Sequence, residues 1–175
     1  QDDAPGSIWE AINPENSKKY SAAALYFAIK LQKEMNIPVG IIEAAWGGTS
    51  IDNWMPADVL KYNMYLSGSL ERWEEWKNEF KGDSISYYAA LAAFEKKEIT
   101  IKPKMPTSVY INQRPHRMPS GLYNGLIAPI VQFKIKGVLW YQGETNRSWS
   151  SEYAIYFDKM ITSWRDAWHS DFPFY

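Results

Sequence analysis

The sequence predicts an α/β domain built on a parallel sheet, and three observations carry that prediction. Strand-length apolar runs, residues 39–45 (VGIIEAA) and 137–141 (GVLWY), alternate with amphipathic helical patterns. Both runs stop abruptly in small and polar residues, Trp46-Gly47-Gly48-Thr49-Ser50 and Gln142-Gly143-Glu144-Thr145-Asn146. Open α/β sheets place their ligands at such carboxyl ends of strands. A further apolar start at 172–175 follows the last helical pattern and reads as another strand cut at its beginning. The expectation is therefore the central part of one domain over 1–175, incomplete in this chain, with an insertion at about 57–119.

Composition narrows the function classes. The 175 residues are 46% hydrophobic with a formal net charge of -1, enough apolar material for a real core and no basic footprint for nucleic acid. The apolar runs are of strand length, too short to span a membrane, and the first residues lack a charged start followed by an apolar stretch and a cleavage site. With no cysteine there is no disulfide and no thiolate, and two histidines do not make a histidine-rich metal centre. Nine tryptophans and twelve tyrosines are the unusual feature. Aromatic faces stack on sugar rings, and they also fill cores.

In chain order, residues 1–20 hold two prolines and several turn formers and read as an irregular lead-in. Ala24, Phe27, Ala28, Leu31 and Met35 then fall at helical spacing, with Ser21 as N-cap and Pro38 ending the pattern. The first strand and its glycine turn follow. Beyond 51–56, Leu70, Trp73, Trp76 or Lys77, and Phe80 keep one helical face apolar, and 86–97 repeats the pattern with Tyr87, Leu91 and Phe94. Two antiparallel helices joined at Gly82 and Asp83 are expected, a helical hairpin outside the sheet. The four prolines of 99–119 predict a long surface loop. Residues 121–133 are apolar and broken by Pro129, and Tyr153, Phe157, Met160, Ile161, Trp164 and Trp168 mark one face of a last helix over about 151–168.

The two strand ends are the candidate chemistry. In a parallel sheet both turns emerge on one edge, so the backbone N–H groups of Gly47 and Gly48 converge with the side chains of Gln142, Glu144 and Asn146. Such donors suit the oxyanion that develops in acyl transfer. Taken singly, the glycines also read as a tight turn and Asn146 as a helix cap.

The segments EAAWGGTSIDNWMP, PSGLYNGLIAPI and KGVLWYQGETN, in that order and followed by a helix ending SWRDAW, resemble the sialate O-acetylesterase family, related acetylxylan esterases included, within the SGNH hydrolases. The resemblance runs over nearly the whole chain. It implies a three-layer α/β/α, flavodoxin-like fold and a serine esterase that removes acetyl groups from sugars such as sialic acid, with no metal or organic cofactor. It also implies a secreted or periplasmic setting. By that resemblance Gly47, with Gly48 beside it, donates an oxyanion N–H. Asn146 or Gln142 is the other donor, and Glu144 is similar to an acidic group that orients the catalytic histidine. The family's Gly-Gln-Ser-Asn-type turn, which carries the nucleophile, and its Asp-x-x-His block have no match here, so the isolated chain is expected to be inactive. A non-catalytic carbohydrate-binding or interaction module on an esterase scaffold is the alternative.

Trp46, Arg114, His116, Tyr123 and Asn124 are the candidate substrate contacts, with Arg114 or Arg117 able to pair a sugar carboxylate. Gly82, Asp83 and Ser84 spell the GDS of the wider superfamily. A nucleophile needs a sharp turn after a buried strand, and WEEWKNEFK before Gly82 is helical. His169 reads as a solvated helix-end residue.

Overall fold

The structure, a computed structural model, describes residues 8–175; the part of the expected lead-in at 1–7 lies outside them. From 8 to 20 the chain is irregular apart from the 3-10 turn Ser17–Lys19. Helix α1, Ala22–Met35, begins as its sequence predicts: Ser21 Oγ accepts from the Ala24 N–H at 3.4 Å, satisfying one of the open donors of the first turn. Asn36, at φ 52, closes the helix in the left-handed region before Pro38 is reached.

The parallel sheet is not there. Among the described residues no strand forms: 39–45 is extended without a ladder, and 137–141 meets the chain's last residues at one parallel bridge, Val138 with Phe174. Three backbone bonds carry it, Val138 N to Pro173 O (2.9 Å), Tyr175 N to Val138 O (2.9 Å) and Trp140 N to Tyr175 O (2.8 Å). The expected three-layer α/β/α, flavodoxin-like SGNH architecture is thereby overturned. Apolar β-branched runs favour extended backbone, but a strand needs a neighbour about 4.8 Å away along its length, and that neighbour is never local. Without it, Leu139 and Tyr141 stand 41% and 90% exposed.

The helical hairpin is also corrected. Helix α2, Ala57–Tyr62, is followed by α3, one continuous helix from Gly68 to Glu95 that runs straight through Gly82 and Asp83. Gly82 costs a helix interior only about 1 kcal/mol relative to alanine, which the remaining turns outweigh. The chain reverses later, and α4, Thr107–Asn112, folds back on α3 inside the stretch expected to be loop. Ser108 Oγ donates to the Asp83 carboxylate, and Gln113 Nε2 donates to Tyr88 OH at 2.5 Å. Ser84 bonds back to Lys81 O at 3.0 Å within the helix, a placement that supports no nucleophilic role.

The core lies between α5, Ser150–Trp168, and the 3-10 turn Ile51–Trp54. Ile51, Trp54, Met55, Leu60, Leu66, Leu122, Ile127, Tyr156, Met160, Trp164 and Phe172 form its buried cluster. Large apolar side chains of this kind contribute about 1.5–3 kcal/mol each on burial. Their polar atoms are satisfied across elements: Tyr156 OH donates to Leu66 O (3.1 Å) and Trp164 Nε1 to Trp54 O (3.0 Å). α5 has the expected bounds to within one residue, and His169, at φ 50, is its left-handed cap.

Candidate functional site

The core fixes the first turn from below. Thr49 is buried; its Oγ1 donates to Trp46 O at 2.9 Å and accepts from Trp54 Nε1 at 3.0 Å. The turn above it needs Gly48, whose φ of +71 lies in the left-handed region that a Cβ disfavours. Gly47 and Gly48 themselves remain exposed. Past the turn, the Ser50 N–H donates to Asn53 Oδ1 at 2.8 Å, which starts the 3-10 turn. Asn53 Nδ2 spans outward to Arg117 O (2.9 Å) and Met118 O (3.1 Å), tying the proline-rich stretch onto this turn.

The second turn locks onto the first through two side chains. Gln142 Nε2 donates both to Thr49 O (2.9 Å) and to Asn146 Oδ1 (2.7 Å), while its Oε1 accepts from Tyr153 OH at 3.0 Å. Asn146 Oδ1 also accepts the Ile51 N–H at 3.1 Å. With two donors converging on that oxygen, the amide orientation is determined, and Nδ2 is the remaining group. It is buried and, among the described residues, has no partner. A buried donor without an acceptor costs about 1–3 kcal/mol, so this N–H stands out from the satisfied groups around it. Glu144 is exposed at the start of the 3-10 turn Glu144–Trp149.

Two further buried polar groups border the first turn. Asp52, 5% exposed, has Oδ1 without a partner among the described residues, and burial above all pushes its carboxyl above the usual carboxylate range despite hydrogen bonding from Ser50. Ser120 sits at φ 63, donates its N–H to Asp52 O at 2.9 Å and has a buried Oγ with no partner among the described residues.

Of the candidate substrate contacts, Trp46 and His116 come together. Their rings stack with centroids 4.8 Å apart and planes at 23°, and Trp46 stays 51% exposed. Burial, then the charges of Arg117 and Arg114, hold His116 below the ordinary imidazole value, favouring its neutral form. Arg114 turns to Tyr110, donating Nη1 to its carbonyl at 3.0 Å and lying 3.7 Å over its ring. Tyr123 and Asn124 lie in the π-helical turn Tyr123–Ile127 and hydrogen-bond to neither glycine-bearing turn; Tyr123 packs against the core, and burial raises its phenol pKa. Thr49, Asn53 and Tyr153 are site-forming residues that the sequence reading passed over. The Ser50-x-x-Asn53 spacing is a readable cap signal, whereas Tyr153 reads only as one more apolar-face residue of α5.

No protein-family model matches the chain. It is 27% identical over 151 residues to the sialate O-acetylesterase of Rattus norvegicus, covering 86% of this chain and 26% of that protein. To the sialate O-acetylesterase of Homo sapiens it is 26% identical over 153 residues, covering 87% of this chain and 22% of the relative. The crystal structure of a carbohydrate acetylesterase from Xanthomonas citri aligns with a TM-score of 0.65 at 26% identity, over 99% of this chain and 29% of that one. The chain thus spans about a quarter of the length of the curated relatives it matches. Its likeness to sialate O-acetylesterases, read from motifs, holds in sequence, and the structure aligns with a carbohydrate acetylesterase.

Proposed function

We propose, for this sialate O-acetylesterase-like chain, that the two interlocked turns form the oxyanion side of a carbohydrate O-acetylesterase. The observation that carries this is the Asn146 Nδ2 donor, buried and unpartnered between a glycine turn and a fully bonded glutamine. In the reaction a serine Oγ attacks the acetyl carbonyl, its proton passes to a histidine, and the sugar oxygen leaves with that proton. During the attack, before the sugar oxygen leaves, negative charge develops on the carbonyl oxygen, where Asn146 Nδ2–H and the N–H groups of Gly47 and Gly48 are its donors; water activated by the histidine then hydrolyses the acetyl-serine ester to acetate and free serine. Gln142 is a positioning residue, because both of its amide hydrogens and its oxygen are already engaged. Glu144 orients the histidine. The stacked Trp46–His116 pair receives the sugar's C–H face.

The serine and the histidine block come from sequence outside these residues in this reading. Hydrolysis of an aryl acetate by this chain and by a form extended at both ends along its coding sequence tests it. Turnover in the extended form alone, lost with Asn146→Ala, is the expected result. Serine-dependent turnover by the 175 residues alone would overturn the placement of the nucleophile. Glycan binding without turnover in the extended form would favour the non-catalytic module, which the exposed Trp46 face also fits.

A further inference from the structure

A cavity of about 390 Å³ opens between the start of α3 and the first turns of α5, and no residue of either interlocked turn lines it. Its walls are Met64, Tyr65, Glu71, Arg72, Glu152 and Ile155. The frame is anchored in the core, where fully buried Tyr156 donates its OH to Leu66 O at 3.1 Å and ties the approach to α3 onto α5. Arg72 is set by two contacts: Nη1 lies 3.3 Å from where a Cβ on Gly68 would stand, and the guanidinium carbon is 4.3 Å from the centre of the Trp149 ring. Its Nη2 is buried and has no acceptor among the described residues. Glu71 Oε1 accepts from Ser67 Oγ at 3.2 Å, and among the described residues no ion pair joins Arg72 to Glu71 or to Glu152. One strong donor and two strong acceptors therefore border a single cavity without cancelling one another. Tyr65 and Met64, 63% and 81% exposed, add apolar surface beside them.

We propose that this cavity is a second sugar subsite, which takes a neutral pyranose unit of the bound glycan between Arg72 and the carboxylates of Glu71 and Glu152. The inference rests on the carbohydrate esterase reading and adds a binding site outside the oxyanion turns. A hydroxyl both donates and accepts, so vicinal hydroxyls on one ring answer a guanidinium and a carboxylate at once. An anion meets two carboxylates and a simple cation meets the guanidinium, so either satisfies only part of the wall. The Tyr65 ring and Met64 give the apolar C–H face of the sugar a surface to lie on. Trp149, which carries the Arg72 guanidinium, ends the 3-10 turn Glu144–Trp149. Asn146 stands three residues earlier in that turn, about 6 Å of 3-10 rise away, so a glycan seated in the cavity follows one turn toward the oxyanion donor.

The 175-residue chain is titrated with methyl glucopyranoside, following the Trp149 indole N–H by heteronuclear NMR. Three controls each lack one part of the match: tetrahydropyran has the ring without hydroxyls, glucuronate adds a negative charge, and methylammonium offers a cation alone. The glucoside is expected to shift Trp149 with a millimolar Kd, and each control to bind at least about ten-fold more weakly. Tyr65→Ala and Glu152→Ala should each weaken the glucoside about ten-fold. No shift at Trp149, a shift confined to Trp46, a control that binds as tightly as the glucoside, or unchanged binding in either folded variant overturns the subsite. Should Glu152→Ala fail to fold, Tyr65→Ala, at a position 63% exposed, still decides. Aryl-acetate turnover by the extended form, which needs no second sugar, separates the two readings. Its absence with the Trp149 response intact removes the esterase alone, and its presence without that response removes the subsite alone.

Discussion

The two turns and the apolar runs that lead into them are held in opposite ways. Gln142 and Asn146 reach across to Thr49 and Ile51 with side-chain bonds of 2.9 and 3.1 Å, and Asn146 is 1% exposed. The run before it has one parallel bridge, and Tyr141, next to Gln142, is 90% exposed. Position in this site therefore comes from amide side chains that bond to backbone, and not from a ladder underneath. A side chain with several acceptors and donors in fixed directions can specify one geometry where a single bridge cannot.

Substitutions can break or sharpen this contrast. Asn146→Ala removes the acceptor of both the Ile51 N–H and Gln142 Nε2 and leaves buried donors unpaired. It should lower stability in urea unfolding by about 2–3 kcal/mol. Gly48→Ala forces a Cβ into a left-handed backbone and against Arg117, with an expected loss of about 1–2 kcal/mol in the same assay. Gly82→Ala should instead stabilise by about 1 kcal/mol, since a Cβ there meets nothing within 4 Å and the helix is continuous. Destabilisation at Gly82 would restore the hairpin reading. Tyr141→Ser, at the end of the exposed run, should stay within about 0.5 kcal/mol of wild type, and a larger loss would show that the run is held more firmly than its exposure indicates.

What could be read from the sequence follows the range of the interaction responsible. Ser21 as the N-cap of α1 and the apolar face of α5 were legible, because capping and helical periodicity act within a few residues. Gly82 misled because glycine is permissive: the same residue that ends many helices in the left-handed region also sits inside one at modest cost. α4 was missed for the converse reason. Six residues between prolines have little helical stability alone, and their packing on α3 supplies it. At the site, Gly47, Gly48, Gln142 and Asn146 were all visible as a polar break after an apolar run. Their roles were not, since a Gln and an Asn offer the same amide chemistry until their partners are known.

By itself, then, the sequence determined that a helix begins after Ser21, that the last helix ends at His169, and which polar residues gather after the apolar runs. These depend on local backbone preferences and periodic burial. Only the tertiary structure decided that the runs do not build a sheet, that α3 does not break, and that Gln142 is fully bonded while Asn146 keeps a free N–H. It also decided which arginine faces the glycine turn: Arg114 is held by Tyr110, and Arg117 lies against Gly48. Those outcomes rest on pairings between residues far apart in the chain, whose partners no local pattern names.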